Sequence, residues 1–148
     1  MGDYWSTVEP FWDAINIYEG PEAFRQTFDS APRVSGLMFA AHFCQSEICN
    51  GGFDQFLSNS TGVLAPEAVE GFREIGQLQI ATLVESAMDL VGSPYPRDRE
   101  ERQGRLSQVP EGALDALDQK FFALIESEAG GFQGAADRYV KRMGQNKS

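Results

Sequence analysis

The sequence predicts an all-α protein, a single-domain orthogonal bundle of about eight helices around one central apolar helix. Three observations carry this. No segment alternates apolar and polar residues with period two, so no strand is expected. Val34, Leu37, Met38, Phe39, Ala40, Ala41, Phe43, Cys44 and Ile48 make one run apolar nearly all round, as in a helix surrounded by others. Elsewhere apolar residues recur at i, i+3, i+4 between Gly and Pro breaks. The length of 148 residues suits one domain spanning 1–148, since single domains commonly hold roughly 100–200 residues.

Ser6-Thr7-Val8-Glu9 is a capping-box pattern and Pro10 fits a first helical turn, so a first helix is expected, ended by Gly20-Pro21. Trp5, Val8, Trp12 and Ile15 share one stripe, widened by Tyr4, Phe11 and Tyr18. So broad an aromatic face belongs in a core or against a dimer mate, and the core is the preferred reading. Gly20-Pro21 starts a second helix ending near Phe28, and Ser30-Ala31-Pro32 opens the central one, which runs to about Cys49. Ala65-Pro66 opens another, broken near Gly76; beyond it Ile80, Leu83, Val84, Ala87, Leu90 and Val91 form a helical stripe. Gly92-Ser93-Pro94-Tyr95-Pro96 is a loop. Residues 97–106 mix both charges at short spacing, the mark of an exposed, salt-bridged helix. Pro110 is expected to open the next helix, with Ala113, Leu114, Leu117, Phe121, Leu124 and Ile125 buried, until Gly130-Gly131 stops it. A last helix runs from Phe132 to about Met143, its Arg138, Lys141 and Arg142 suiting the negative end of the helix dipole.

The most informative stretch is Glu47 to Gly62. Asn50-Gly51-Gly52 breaks the central helix, because Asn and Gly enter left-handed conformations at low cost. Phe53, Phe56 and Leu57 then resume helical spacing. A tight corner is expected, with Glu47, Asn50, Gln55 and Asn59 as a polar rim around aromatic anchors.

The pattern Glu47, Asn50, Gly51, Gly52, Phe53, Gln55, Phe56, Asn59, Ser60, Gly62 resembles the signature of the DNA-mimic-protein-like family, small acidic helical bacterial proteins of mostly unassigned function. Ile75-Gly76, Ala87, Pro96, Asp98 and Arg102 match it further, so the resemblance covers about residues 37–106; Cys49 departs from it where a second Asn is usual. The resemblance implies a helical fold and, for the best-understood type, occupation of the DNA-binding face of a basic protein.

The net charge of −10 excludes a general nucleic-acid binder, which needs Lys and Arg to displace counterions from phosphates. It fits solubility or attraction to a basic protein partner. Two acidic rows are candidates: Glu67, Glu70 and Glu74 at i, i+3, i+7, and Glu111, Asp115 and Asp118 at i, i+4, i+7. Carboxylates three or four apart on a helix lie about 5–6 Å apart, comparable with phosphates along a DNA strand. Both rows are expected to be solvated and to face away from the apolar stripes; the basic segments 97–105 and 138–147 dilute the acidity.

Catalytic and metal constellations are weak. His42 is the single histidine, and on a straight helix Cys49 lies about 10 Å from it, too far for a thiol–imidazole bond. His42, Cys44 and Cys49 lack the paired close ligands of zinc motifs, so no metal or other cofactor is expected. Asn50-Gly51-Gly52 could present N–H groups to an anion, but Glu47 and Asp54 beside it repel one. Glu47 is read as bonded to the corner, to Gln55 or to Asn59, in preference to a general base. The expectation is thus a non-enzymatic interaction protein. The alternatives are an immunity-type module whose corner takes a peptide or small ligand and, from another class, a hydrolase using Glu47 and His42.

No apolar run approaches the ~18–20 residues of a membrane span. The first residues, Met1 to Trp5, have no basic region of a secretory leader and fit a myristoylation pattern poorly. Cys44 and Cys49 point to different sides of one helix, unsuited to a disulfide, so a reducing cytoplasmic compartment is expected.

Overall fold

The computed structural model describes residues 3–145; the terminal Met1-Gly2 reading and the end of the basic 138–147 segment lie outside them. It is all-α, a single domain of eight α-helices with no strand among the described residues. The helices are α1 (Asp3–Val8), α2 (Pro21–Asp29), α3 (Arg33–Ser58), α4 (Ala65–Glu74), α5 (Leu78–Val91), α6 (Arg99–Leu106), α7 (Ala113–Ile125) and α8 (Phe132–Gln145). Single 3-10 turns occupy Glu9–Phe11, Ser60–Leu64 and Glu128–Gly130.

The all-round apolar run is the hub. Leu37 to Ala41 are buried in succession, and α1, α2, α4, α6, α7 and α8 all pack on α3. Helix α5 closes the other side of α4 and α7, burying Ile80, Leu83, Val84, Ala87 and Val91, while Leu90 of the same expected stripe stays exposed. Gly71 lets α4 approach α3 closely: a Cβ there would lie 2.7 Å from the Leu37 carbonyl oxygen. No helix among the described residues is long and apolar enough to cross a membrane.

The N-terminal helix departs from expectation. Helix α1 starts at Asp3 and ends at Val8, and Pro10 sits in the 3-10 turn that follows. Thr7 does not cap a following helix, because its hydroxyl donates back to the Tyr4 carbonyl (2.6 Å). The N–H of Tyr4 instead donates to the Asp137 carboxylate of α8 (3.0 Å). Residues 12–20 are an irregular strap, and its aromatic face is divided: Tyr4, Val8 and Ile15 are buried, Trp12 and Tyr18 exposed.

The helix expected from Pro110 starts at Ala113, after a turn in which Gly112 has φ +85°. Its stripe is buried fully only at Phe121 and Ile125. Helix α6 is exposed except at Leu106, which is half-buried against the core, and at Arg102, whose side chain is wholly buried.

Candidate functional site

Helix α3 bends where Asn-Gly-Gly predicts. Gly51 (φ −148°, ψ 15°) and Gly52 (φ 80°, ψ 178°) leave the helical region, and residues 53–58 resume it. The orphan N–H of Phe53 donates to Asp118 Oδ1 of α7 (2.8 Å), so a carboxylate from another helix caps the resumed turn. Gly52 is required twice over: its φ is one L-residues rarely adopt, and a Cβ would come within 2.7 Å of Asp118 Oδ2. Gly52→Val should therefore destabilise the fold by more than ~1 kcal/mol in denaturant melts. An unchanged midpoint would remove the strained corner from the description.

Glu47 organises the other side. Gln55 Nε2 donates to its Oε2 (2.8 Å), and Asn59 Nδ2 and Thr61 Oγ1 donate to its Oε1 (3.0 and 3.1 Å). Three donors hold one half-buried carboxylate, so Glu47, Gln55 and Asn59 of the signature form a strut across the bend. Phe53, Phe56 and Leu57 are its fully buried anchors. Asn50 and Gly51 are exposed at the tip, and Ser60 begins the 3-10 turn that leads into α4.

The next turn rests on Arg102. Its guanidinium donates to the carbonyls of Leu57 (2.6 Å), Arg97 (2.7 Å), Asn59 (2.8 Å) and Pro96 (3.4 Å). Burial holds its pKa below the usual arginine value. It lies flat on Gly62, where a Cβ would fall 2.8 Å from its Nη2, and Tyr95 Oη donates to the Gly62 carbonyl (2.7 Å). That close approach accounts for the glycine at the end of the signature.

The two acidic rows separate. Glu67, expected on a solvated face, is buried: Arg97 pairs with both its oxygens (2.9 Å each) and Arg25 with Oε2 (2.6 Å). Glu70 and Glu74 both pair with Arg33, and Tyr139 Oη donates to Glu74 (3.2 Å). This row is neutralised, because three arginines remote in sequence converge on it.

In the second row Glu111 lies in the turn before α7 rather than on it, and Asp118 is partly buried against Gly52 and Phe53. Burial raises the Asp118 pKa, the Phe53 N–H opposes that, and the charges of Asp115 and Asp54 raise it further. Glu111 and Asp115 are exposed and join Asp54, also exposed, around a hollow of about 280 Å³ floored by Leu106, Val109, Pro110 and Leu114. None of Asp54, Glu111 and Asp115 forms an ion pair with a described residue. Asp54 was missed in sequence because it belongs to neither row; its place in the first turn after the corner was the available signal.

His42 faces α1. Its Nδ1 lies 3.0 Å from Tyr4 Oη, and its ring packs against Trp5 and Phe43. Burial lowers its pKa, so the folded state favours the neutral ring. The unfolded chain then binds the proton first, and stability should fall as pH drops below about 6.5. His42→Phe should lose that part of the pH dependence between about pH 7 and 5 in thermal melts; matching slopes would refute it. Cys44 is buried and Cys49 exposed, both free thiols, and no group of three or more His, Cys, Asp or Glu among the described residues could hold a metal ion.

These features define an acidic all-α domain whose corner is cross-braced by buried polar groups and whose free carboxylates gather beside it. A family model described as DMP19-like protein matches residues 29–143, and the chain belongs to that family. The match extends well beyond the stretch around Asn50 that carried the resemblance. No curated protein and no solved structure matches the chain.

Proposed function

We propose that this protein is a non-enzymatic interaction module that presents carboxylates to a basic protein partner, occupying a surface built to meet DNA phosphates. The observation that carries this reading is the separation of the rows: the α4 carboxylates are tied to arginines, whereas Asp54, Glu111 and Asp115 stand exposed around an apolar hollow with no ion pair to a described residue. A lysine or arginine side chain suits that arrangement, with its aliphatic stem on Leu106, Val109 and Leu114 and its charged head among the carboxylates. The family membership and the net charge of −10 support it. Free thiols at Cys44 and Cys49 accord with action in a reducing cytoplasm.

Self-association belongs to the same proposal. The surface that suits a second copy is the apolar groove of about 510 Å³ between α5 and α7, where Leu78 is 59% exposed beside Leu83 and Leu124. Sedimentation at two protein concentrations checks it, and Leu78→Glu should shift the equilibrium towards monomer.

The test of the main reading uses immobilised protein and lysate of its own host. A partner should be retained by the wild type at low salt, released by duplex DNA, and lost in Asp54→Lys/Glu111→Lys/Asp115→Lys. Retention that survives duplex DNA and the triple reversal would contradict the proposal.

A further inference from the structure

The strap over residues 12–19 crosses α3 and leaves a groove unrelated to the acidic hollow. One limb, about 430 Å³, is floored by Phe39 and Phe43 and edged by Asp13 and Glu19. The other, about 330 Å³, shares Ile17, Tyr18 and Phe43 with the first and ends at Ser46, Ser60 and Arg99. Each limb falls within the roughly 300–1,000 Å³ of small-ligand pockets. Tyr18 stands between them, 79% exposed.

The chemistry of the groove is polarised. One limb carries two exposed carboxylates, Asp13 and Glu19, of which Glu19 Oε1 accepts from Asn16 Nδ2 (2.5 Å). At the other, Arg99 uses Nε on the Ser58 carbonyl (3.1 Å) and keeps its two terminal nitrogens clear of any acceptor among the described residues. The Ser46 and Ser60 hydroxyls beside it make no hydrogen bond to a described residue either. Glu47 also lines this limb, but its oxygens already hold the donors of Gln55, Asn59 and Thr61. Along the strap, N–H groups of Asn16, Tyr18 and Glu19 are bonded to side chains, whereas none of the carbonyls of Trp12 to Glu19 accepts a hydrogen bond from a described residue.

We propose that this groove binds a short linear peptide through its free C-terminal carboxylate. The carboxylate meets Arg99 with Ser46 and Ser60, an apolar side chain packs on Phe39 and Phe43, and the amino end meets Asp13 and Glu19. The row of unpaired carbonyls complements peptide N–H donors. A nucleotide fits poorly, because its phosphates would face carboxylates at one end and its other end would find no further cation.

The probe is the tetrapeptide Lys-Ala-Phe-Leu, as free acid and as C-terminal amide, titrated by calorimetry and by Trp fluorescence, since Trp12 lines the groove. The free acid should bind saturably below ~1 mM and the amide about tenfold more weakly, the loss of one charge-assisted contact. Arg99→Gln should abolish the difference between acid and amide, and Tyr18→Ala should weaken both forms alike. Both side chains are exposed, and denaturant melts verify the fold of each variant; should Arg99→Gln not fold, Ser46→Ala/Ser60→Ala carries the same comparison. The Asp54/Glu111/Asp115 reversal should leave peptide binding unchanged, which separates this site from the acidic surface. No saturable binding of the free acid, or an acid-to-amide ratio unchanged in the carboxylate-site variant, would overturn the proposal.

Discussion

Arg102→Ala is expected to cost about 3–5 kcal/mol of folding stability, the largest loss of any single side chain off the apolar core. Its guanidinium is wholly buried and satisfies four carbonyls, from Leu57 and Asn59 on one side and Pro96 and Arg97 on the other. Removing it leaves those acceptors unpaired and opens a cavity over Gly62. Arg102→Met keeps most of the side-chain volume and loses every donor. It should cost nearly as much as alanine if the hydrogen bonds dominate. Urea melts of the two variants decide this: a loss under ~1 kcal/mol for methionine would assign the stabilisation to packing instead.

Glu67→Lys is expected to cost at least about 2 kcal/mol, because it sets a third cation between Arg25 and Arg97 and leaves them only Asp29 and the Val63 carbonyl. Arg25 is 44% exposed, so water screens part of that repulsion and keeps the loss below that of a fully buried pair. Glu111→Lys and Asp115→Lys together should leave the folding stability within about 0.5 kcal/mol of wild type, since neither residue holds an ion pair with a described residue and both are exposed. A midpoint insensitive to Glu67→Lys would mean that the α4 row is dispensable and available to a partner after all.

The contrast between these rows marks where sequence reasoning ran out. Helical periodicity ends at the helix itself: it places Glu67, Glu70 and Glu74 opposite Val69, Phe72 and Ile75 but says nothing of what docks there. The partners that bury Glu67 come from Arg25 and Arg97, 42 and 30 residues away. Arg102 matches the family signature, but its burial was hidden for a related reason, since α6 is almost wholly polar. Its available signal was the i, i+4 relation to Leu106, the helix's one apolar side chain. The N-terminal helix failed locally, because Thr7 bonds to the carbonyl behind it and Pro10 cannot supply an N–H to an α-helical turn.

What was legible depended on short-range chemistry. The central helix showed itself by apolar residues on every side, the bend by Gly51-Gly52, and the strut by polar Glu47, Gln55 and Asn59 flanking that bend, 8 and 12 residues apart. The Asn-Gly-Gly corner is braced from outside by Asp118 of α7, a residue expected on a display surface; a carboxylate near a helix start serves either purpose, and only the packing of α7 on α3 distinguishes them. Asp118 Oδ1 is thus already engaged, so the proposed display surface is centred on Asp54, Glu111 and Asp115 instead.

The most direct test of that surface is the affinity for the basic partner captured from the lysate, measured at about 50 and 200 mM salt for three proteins. These are the wild type, Asp54→Lys/Glu111→Lys/Asp115→Lys, and Glu70→Lys as an acidic-face control. The predicted result is a wild-type affinity that falls at least about tenfold with salt, a triple variant that binds weakly at both concentrations, mainly through slower association, and a Glu70→Lys protein close to wild type. Affinity indifferent to salt and to the triple reversal would contradict it.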